Sequence, residues 1–483
     1  MPTSVSTNLS FPSSSPSRLQ AAITHADAES TTLAAQDSYP VTHTETQSSS
    51  RLKEPEYAER IHDVGLFQLK LGDFLSASRK AHAAVGLFVA AVTITFGGTS
   101  IGAILPLIGD RFRISTESLG LLLGIILAGT AMFQIPGGFA ALRYGARRVV
   151  LASTILGGGA FLLAGLAGDF SVLTFFLFLT GVSSALFYAP ALSLVSSIFS
   201  EGRRGPAVGF FWGTFNGMGG MVGMLLGAYL GLNFNWQAPL EVGGAGLLLL
   251  APVLWWFLPR EPSVASPSHG GLWLSGRRVL RARAVWGLAL GLGGFAGAGY
   301  VPIYYVTTYF KQVHPTWGIH AAAQVAAFAV LATLPGAAVG GWIADRGFDR
   351  RTVITFFALA FGLVVLWIPY ATLLLLCIIY LLGGFLLGVT NAVMNLFPSY
   401  LEETKGPGMA LAVGLIVTCQ TLFRSVVATV FGFLVVTSGY TAAWLFSAFL
   451  CLTLLPLLRW VPPSRAARSA FSRCWDRMMH SAR

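Results

Sequence analysis

Between Ala83 and Leu458 the chain presents one apolar window after another, twelve in all, each close to 20 residues or longer. A helix rises about 1.5 Å per residue, so about 20 residues cross a hydrocarbon layer of about 30 Å. The windows are apolar all round. That sets aside a membrane β-barrel, whose strands read as short runs of alternating polarity. With 54% of the 483 residues hydrophobic and 11% charged, the chain has more apolar surface than a water-exposed protein can bury. The expected fold is an all-α membrane protein with twelve transmembrane helices.

The ends differ. Residues 1–55 are rich in Ser and Thr with no apolar run, so they cannot offset the entropy of ordering and are expected to be a disordered tail without a cleavable signal. In residues 56–82 Val64, Phe67, Leu71, Phe74 and Leu75 fall near one helical face, the pattern of an interfacial helix. Residues 459–483 form a basic tail.

Charge sets the orientation. Of 25 Lys and Arg residues in connecting or flanking segments, 22 lie beside the start of the first span, in the even-numbered connections or in the C-terminal tail. The odd-numbered connections hold only Arg111, Arg113 and Lys311. Both termini are therefore expected on the cytoplasmic side of a plasma (inner) membrane. The net charge of +11 follows from this bias, with membrane lipids as partners. The scattered Arg residues form no basic groove, so no nucleic acid is expected. No GxxxxGK[ST] loop calls for a nucleotide, and no cofactor or metal is expected. Cys377, Cys419, Cys451 and Cys474 lack metal-type spacing.

The two halves repeat. GFAALRYGARR from Gly138 matches GWIADRGFDRR from Gly341, aligning Arg143 with Arg346 and Arg147 with Arg350, with Gly145 and Asp345 inside the two copies. SEGRRGPAVG from Ser200 matches LEETKGPGMA from Leu401 at nearly the same offset. The hydrophilic stretch 260–283 then reads as a linker between halves 83–259 and 284–458.

Six plus six spans, a long middle loop and G-x-x-x-D-R-x-G-R-R-type segments after helices two and eight resemble the major facilitator superfamily. The resemblance covers about residues 80–460. It implies a monomeric carrier of a small-molecule solute, a central cavity lined by helices one, four, seven and ten, and contact between halves by two, five, eight and eleven. Departures are visible. Leu142 stands where the first signature has Asp, Phe348 replaces a Gly in the second, and Phe178 occupies the place of the Arg usual in proton-driven drug exporters.

Arg424 is the costliest residue. Near the middle of the eleventh span, an Arg costs about 2.5 to 3.5 kcal/mol even on the lenient insertion scale. Gln420 lies one turn earlier on the same face. Arg424 reads as the binding group for a carboxylate, or else as a structural Arg satisfied by backbone carbonyls or an acid. Asn391 and Asn395 share a face, as do Tyr300 and Tyr304, and Asn216 and Gln134 add polar groups inside spans; they read as solute contacts or as bonds between helices. Glycines repeat at four-residue spacing at Gly213 and Gly217, at Gly219, Gly223 and Gly227, and at Gly336 and Gly340. They read as packing surfaces on helices five and eight that let the halves slide. Tyr309 and Tyr370 read as interface anchors. No carboxylate falls mid-membrane, which disfavours coupling through a buried acid.

The reading is a carrier of a small organic or inorganic anion, by exchange or facilitated movement. Its rivals are a carrier of neutral or lipophilic solutes and a membrane scaffold or receptor. No catalytic set of side chains appears.

Overall fold

The computed structural model describes residues 54–199, 207, 210–211, 213–259, 277–346, 348–397 and 407–462. Side chains are described from Lys80 onward, apart from Leu142, Asp345, Leu396 and those of 407–411. Most of the two tails, most of the linker and the Asp345 carboxylate thus lie outside the described residues. By contacts the chain divides into units Met1–Lys70 and Leu71–Arg483. The described part of the first is helical. The second carries all that follows.

Among the described residues there are helices and no strands. They are α1 (Glu54–Phe112, of membrane-crossing length over Lys80–Phe112), α2 (Thr116–Tyr144), α3 (Ala146–Gly165), α4 (Phe170–Ile198), α5 (Thr214–Asn233) and α6 (Ala238–Phe257). After residues 277–281 come α7 (Arg283–Val313), α8 (Gly318–Asp345), α9 (Arg350–Leu366) and α10 (Leu373–Leu396). The helical stretch Pro407–Leu454 is two helices, because Gly439 interrupts it at φ 84°, ψ 169°. We call them α11 (407–438) and α12 (440–454). Among the described residues eleven stretches are long and apolar enough to cross a bilayer, and the last, Ala412–Trp460, holds two crossings, which makes twelve.

Local chemistry fixes the connections. The Asp169 carboxylate accepts from the backbone N–H groups of Ser171 and Val172 at 2.8 and 3.0 Å, and Asp349 caps α9 through Thr352 N–H at 3.2 Å. Gly145 alone joins α2 to α3. Its φ of 87° is open to glycine and strained for other residues, and its N–H closes α2 on the Ala141 carbonyl at 2.9 Å.

Leu249, Leu374 and Leu166 are 75%, 74% and 71% exposed, and Trp255, Trp256, Trp342 and Trp367 stand out near helix ends. A belt of this kind suits hydrocarbon with aromatic rings at its borders. Tyr370 belongs to it. Tyr309 does not: it is buried against Tyr440 and Trp444, with ring centroids at 5.0 and 5.8 Å, so its place in the core replaces the expected anchor role.

Helices α2 and α11, α5 and α8, and α1 and α7 meet across the halves. The glycines serve this only in part. A Cβ at Gly213 or Gly217 would press on Leu334 of α8, as expected for the cross-half contact. At Gly219, Gly223 and Gly227 it would strike Thr95, Thr99 and Ser100 of α1 in the same half, and at Gly336 and Gly340 it would strike α10 beside Phe385 and Val389. Most of these glycines therefore bind helices within a half, because four-residue spacing marks a face without naming the helix that meets it.

Candidate solute cavity

Between the halves lies a cavity of about 300 Å³. Gln134 of α2 and Asn216 of α5 reach it from the first half. From the second come Tyr300 and Tyr304 of α7, Asn391 and Asn395 of α10, and Gln420 and Arg424 of α11. Eight polar side chains that the sequence offers as solute contacts thus line this one space. The implied division of labour among helices is not kept, since α2, α5 and α11 both join the halves and supply cavity residues.

Arg424 is the one charged side chain among the described lining residues, and none of the described carboxylates pairs with it. Its guanidinium stands in an open cavity, where water or solute can satisfy it. Beside it on α7 the rings of Tyr300 and Tyr304 stack with centroids 4.0 Å apart. Gln420 is buried and donates to the Met394 sulfur at 2.8 Å, so one of its amide hydrogens ties α11 to α10. Asn216 sits in a π-helical turn, Thr214–Met218, that also carries Phe215 into the lining. The π turn changes the phase of α5 and turns Asn216 inward while Gly213 and Gly217 face Leu334.

One end of the cavity is shut. Thr307 of α7 donates to the Gly102 carbonyl of α1, and Lys311 pairs with Asp110 and reaches the Pro106 carbonyl. Gln312 donates to Thr116 of the other half at 3.3 Å and, within its own half, accepts from Tyr440 at 2.8 Å. On α11, Ser425 donates to the Gly124 carbonyl of α2 at 2.7 Å, and a Cβ on Gly432 would lie only 3.0 Å from the Gly120 Cα. These cross-half bonds lie toward the end where α1 passes into α2.

The signature residues lie at the opposite end and outside the cavity. Gly138 and Gly341 have open space where a Cβ would stand. Arg143 lies 5.7 Å from the Tyr144 ring and Arg346 3.8 Å from the Trp342 ring. Arg147 donates to the Trp255 carbonyl of α6, and Arg350 donates to Ala344 at the end of α8 at 3.0 Å. Each of these contacts stays within its own half. The sequence reading missed Thr130, which ties α2 to the Gly181 carbonyl of α4 at 3.1 Å, and Met394; a Thr or Met inside an apolar span carries no signal of its own.

The sequence profile of the Major Facilitator Superfamily matches residues 87–422, more than half the chain, and the protein belongs to that family. It is 31% identical over 276 residues to monocarboxylate transporter 11 of Homo sapiens, covering 54% of this chain and 57% of that protein. It is 29% identical over 175 residues to the multidrug resistance protein MdtH of an Enterobacter strain, covering 35% and 43%. The chain thus matches about half the length of these relatives. Among solved structures, a bacterial homologue of the human lysosomal transporter Spinster in an inward-facing, unoccupied conformation shares the fold, with a TM-score of 0.62 at 17% identity over 79% of this chain and 95% of that one.

Proposed function

We propose that the protein is a secondary transporter that moves a small anion, carboxylate-like in chemistry, by alternating access. The observation that carries this is Arg424, a lone guanidinium facing an open cavity with no acid among the described residues to neutralise it. A solute carboxylate supplies the missing charge through hydrogen bonds that are stronger than neutral ones. The similarity to a monocarboxylate transporter supports the same reading. With no carboxylate or imidazole among the described lining residues, exchange or facilitated movement fits better than coupling to a proton carried by the protein.

The proposal extends to the frame around the site. Halves 83–259 and 284–458, joined by a linker at 260–283, rock about the central site, both termini are cytoplasmic, and the protein works as a monomer in a plasma (inner) membrane among anionic lipids. In that orientation the shut end is external and the cavity opens to the cytoplasm. A second reading, a carrier of neutral or lipophilic solutes, draws on the resemblance to MdtH and on the apolar share of the lining, Leu123, Ile126 and Leu127 among them.

Ligand-induced thermal stabilisation of the purified protein separates the two. Carboxylates or inorganic anions are expected to stabilise the native protein and to lose that effect in Arg424→Gln. Stabilisation by neutral amphiphiles alone, equal in the variant, rejects the anion. Uptake by proteoliposomes of a ligand that binds then tests transport itself.

A further inference from the structure

The polar groups of the cavity are divided unequally between its walls. The second half supplies the single cation, Arg424, with the stacked Tyr300 and Tyr304 beside it. The first half supplies only neutral groups. There Thr130 and Thr180 are spent on carbonyls of their own half, at 3.1 and 2.7 Å. Gln134, Ser184 and Tyr188, by contrast, line the cavity and make no hydrogen bond among the described residues. Apolar side chains of both halves, Leu123, Ile126, Ile303 and Leu387, complete the lining. A polar group that leaves water for such a space keeps its stability only when it finds a partner.

This arrangement constrains both ends of the solute. One carboxylate neutralises Arg424. A second carboxylate at the far end would meet amide and hydroxyl groups but no cation, and would enter a confined space with its charge uncompensated. A purely apolar far end would displace water from Gln134, Ser184 and Tyr188 and offer them no hydrogen bond in return. We infer that the solute is a monocarboxylate carrying a neutral hydrogen-bonding oxygen, a hydroxyl or carbonyl, at the end remote from its carboxylate, and that Gln134 and Ser184 read that group. Such a solute touches both halves at once. The inference rests on the anion reading and adds to it the class of solute and two specificity-determining residues.

The test measures affinities of the purified full-length protein for four probe types built on straight chains of four, six and eight carbons: the plain acid, the ω-hydroxy acid, the α,ω-diacid and the α,ω-diol. At the best-fitting length the hydroxy acid is expected to bind about 3- to 10-fold tighter than the plain acid, the range a net hydrogen bond gives. The diacid should fall below the hydroxy acid. Gln134→Leu and Ser184→Ala, measured separately, should each shrink the ratio of hydroxy-acid to plain-acid affinity, whereas Arg424→Gln should weaken all the acids together and leave that ratio standing. No hydroxyl gain at any length, a diacid that binds best, or a ratio untouched in both first-half variants overturns the inference while leaving the anion reading intact. Binding of the diols with none of the acids overturns both.

Discussion

Ser425, the residue after Arg424, donates its hydroxyl hydrogen to the Gly124 carbonyl of the other half at 2.7 Å. The residue proposed to bind the solute and one that ties the halves together are thus neighbours on one turn of α11. On the anion reading, a shift of that turn would act directly on the seam.

Replacing the guanidinium gives the plainest prediction. Hydrogen bonds to a charged group contribute about 1.5–3 kcal/mol, so Arg424→Gln should raise the Kd for a carboxylate by about 10- to 100-fold. Arg424→Lys should recover only part of that, because an ammonium cannot offer a forked pair of donors. Equal affinities in wild type and Arg424→Gln, measured by equilibrium binding, would remove the residue from the site.

The pair Lys311–Asp110 is half exposed, at 35% and 64% for the two side chains, and exposed pairs contribute about 0–1 kcal/mol. Asp110→Asn should therefore loosen the shut end only a few-fold. The readout is the rate at which an impermeant thiol reagent, added from that side, labels a cysteine at Leu123 in a cysteine-free background. Exchanging the two charges should return the rate to that of the parent, and an unchanged rate in Asp110→Asn would deny the pair a part in closure.

At Gly124 an added Cβ would collide with the Thr429 hydroxyl and stand 3.1 Å from the Ser425 carbonyl. Gly124→Val should hold the seam apart and increase labelling at Leu123 well beyond the effect of Asp110→Asn. Adding Thr429→Gly to a milder Gly124→Ala should bring labelling back toward the parent. A Gly124→Val protein with parental labelling and transport would show that close approach of α2 and α11 is not required.

Acid should affect stability before it affects binding. His314, between α7 and α8, is stacked on Trp317 at 3.8 Å, and burial holds its imidazole below the ordinary range. The unfolded chain then takes up the proton first, so stability from this group is complete above about pH 6.5 and declines as pH falls below it. The Tm should drop between pH 7.5 and 5.5, with a shallower slope in His314→Gln; an identical slope would clear His314. Affinity for a strong acid should stay level over the same range, since no carboxylate or imidazole is among the described residues that line the cavity.

The crossings could be read from the sequence because each needs only length and apolarity, and neither depends on a neighbour. The cavity residues could be read for a related reason: a polar side chain such as Asn391 or Arg424 is costly in hydrocarbon and is expected to face protein or a water-filled cavity. What could not be read was which surfaces meet. Gly336 and Gly340 pack on α10 instead of α5, and Gln420 donates to Met394, since spacing gives an angle about one helix and nothing about the others. Nor does a count at 100° per residue anticipate the π turn at Thr214–Met218, which resets the phase of α5 where Asn216 turns inward.

The row Gly219, Gly223 and Gly227 brings the α5 backbone against Thr95, Thr99 and Ser100, and the Thr99 hydroxyl reaches the Gly219 carbonyl at 3.5 Å. Helices α1 and α5 are in effect a single girder. Since α5 bears on Leu334 while α1 bears on α7, one bulky residue in the row would press α1 and α5 apart between two of the contacts that join the halves.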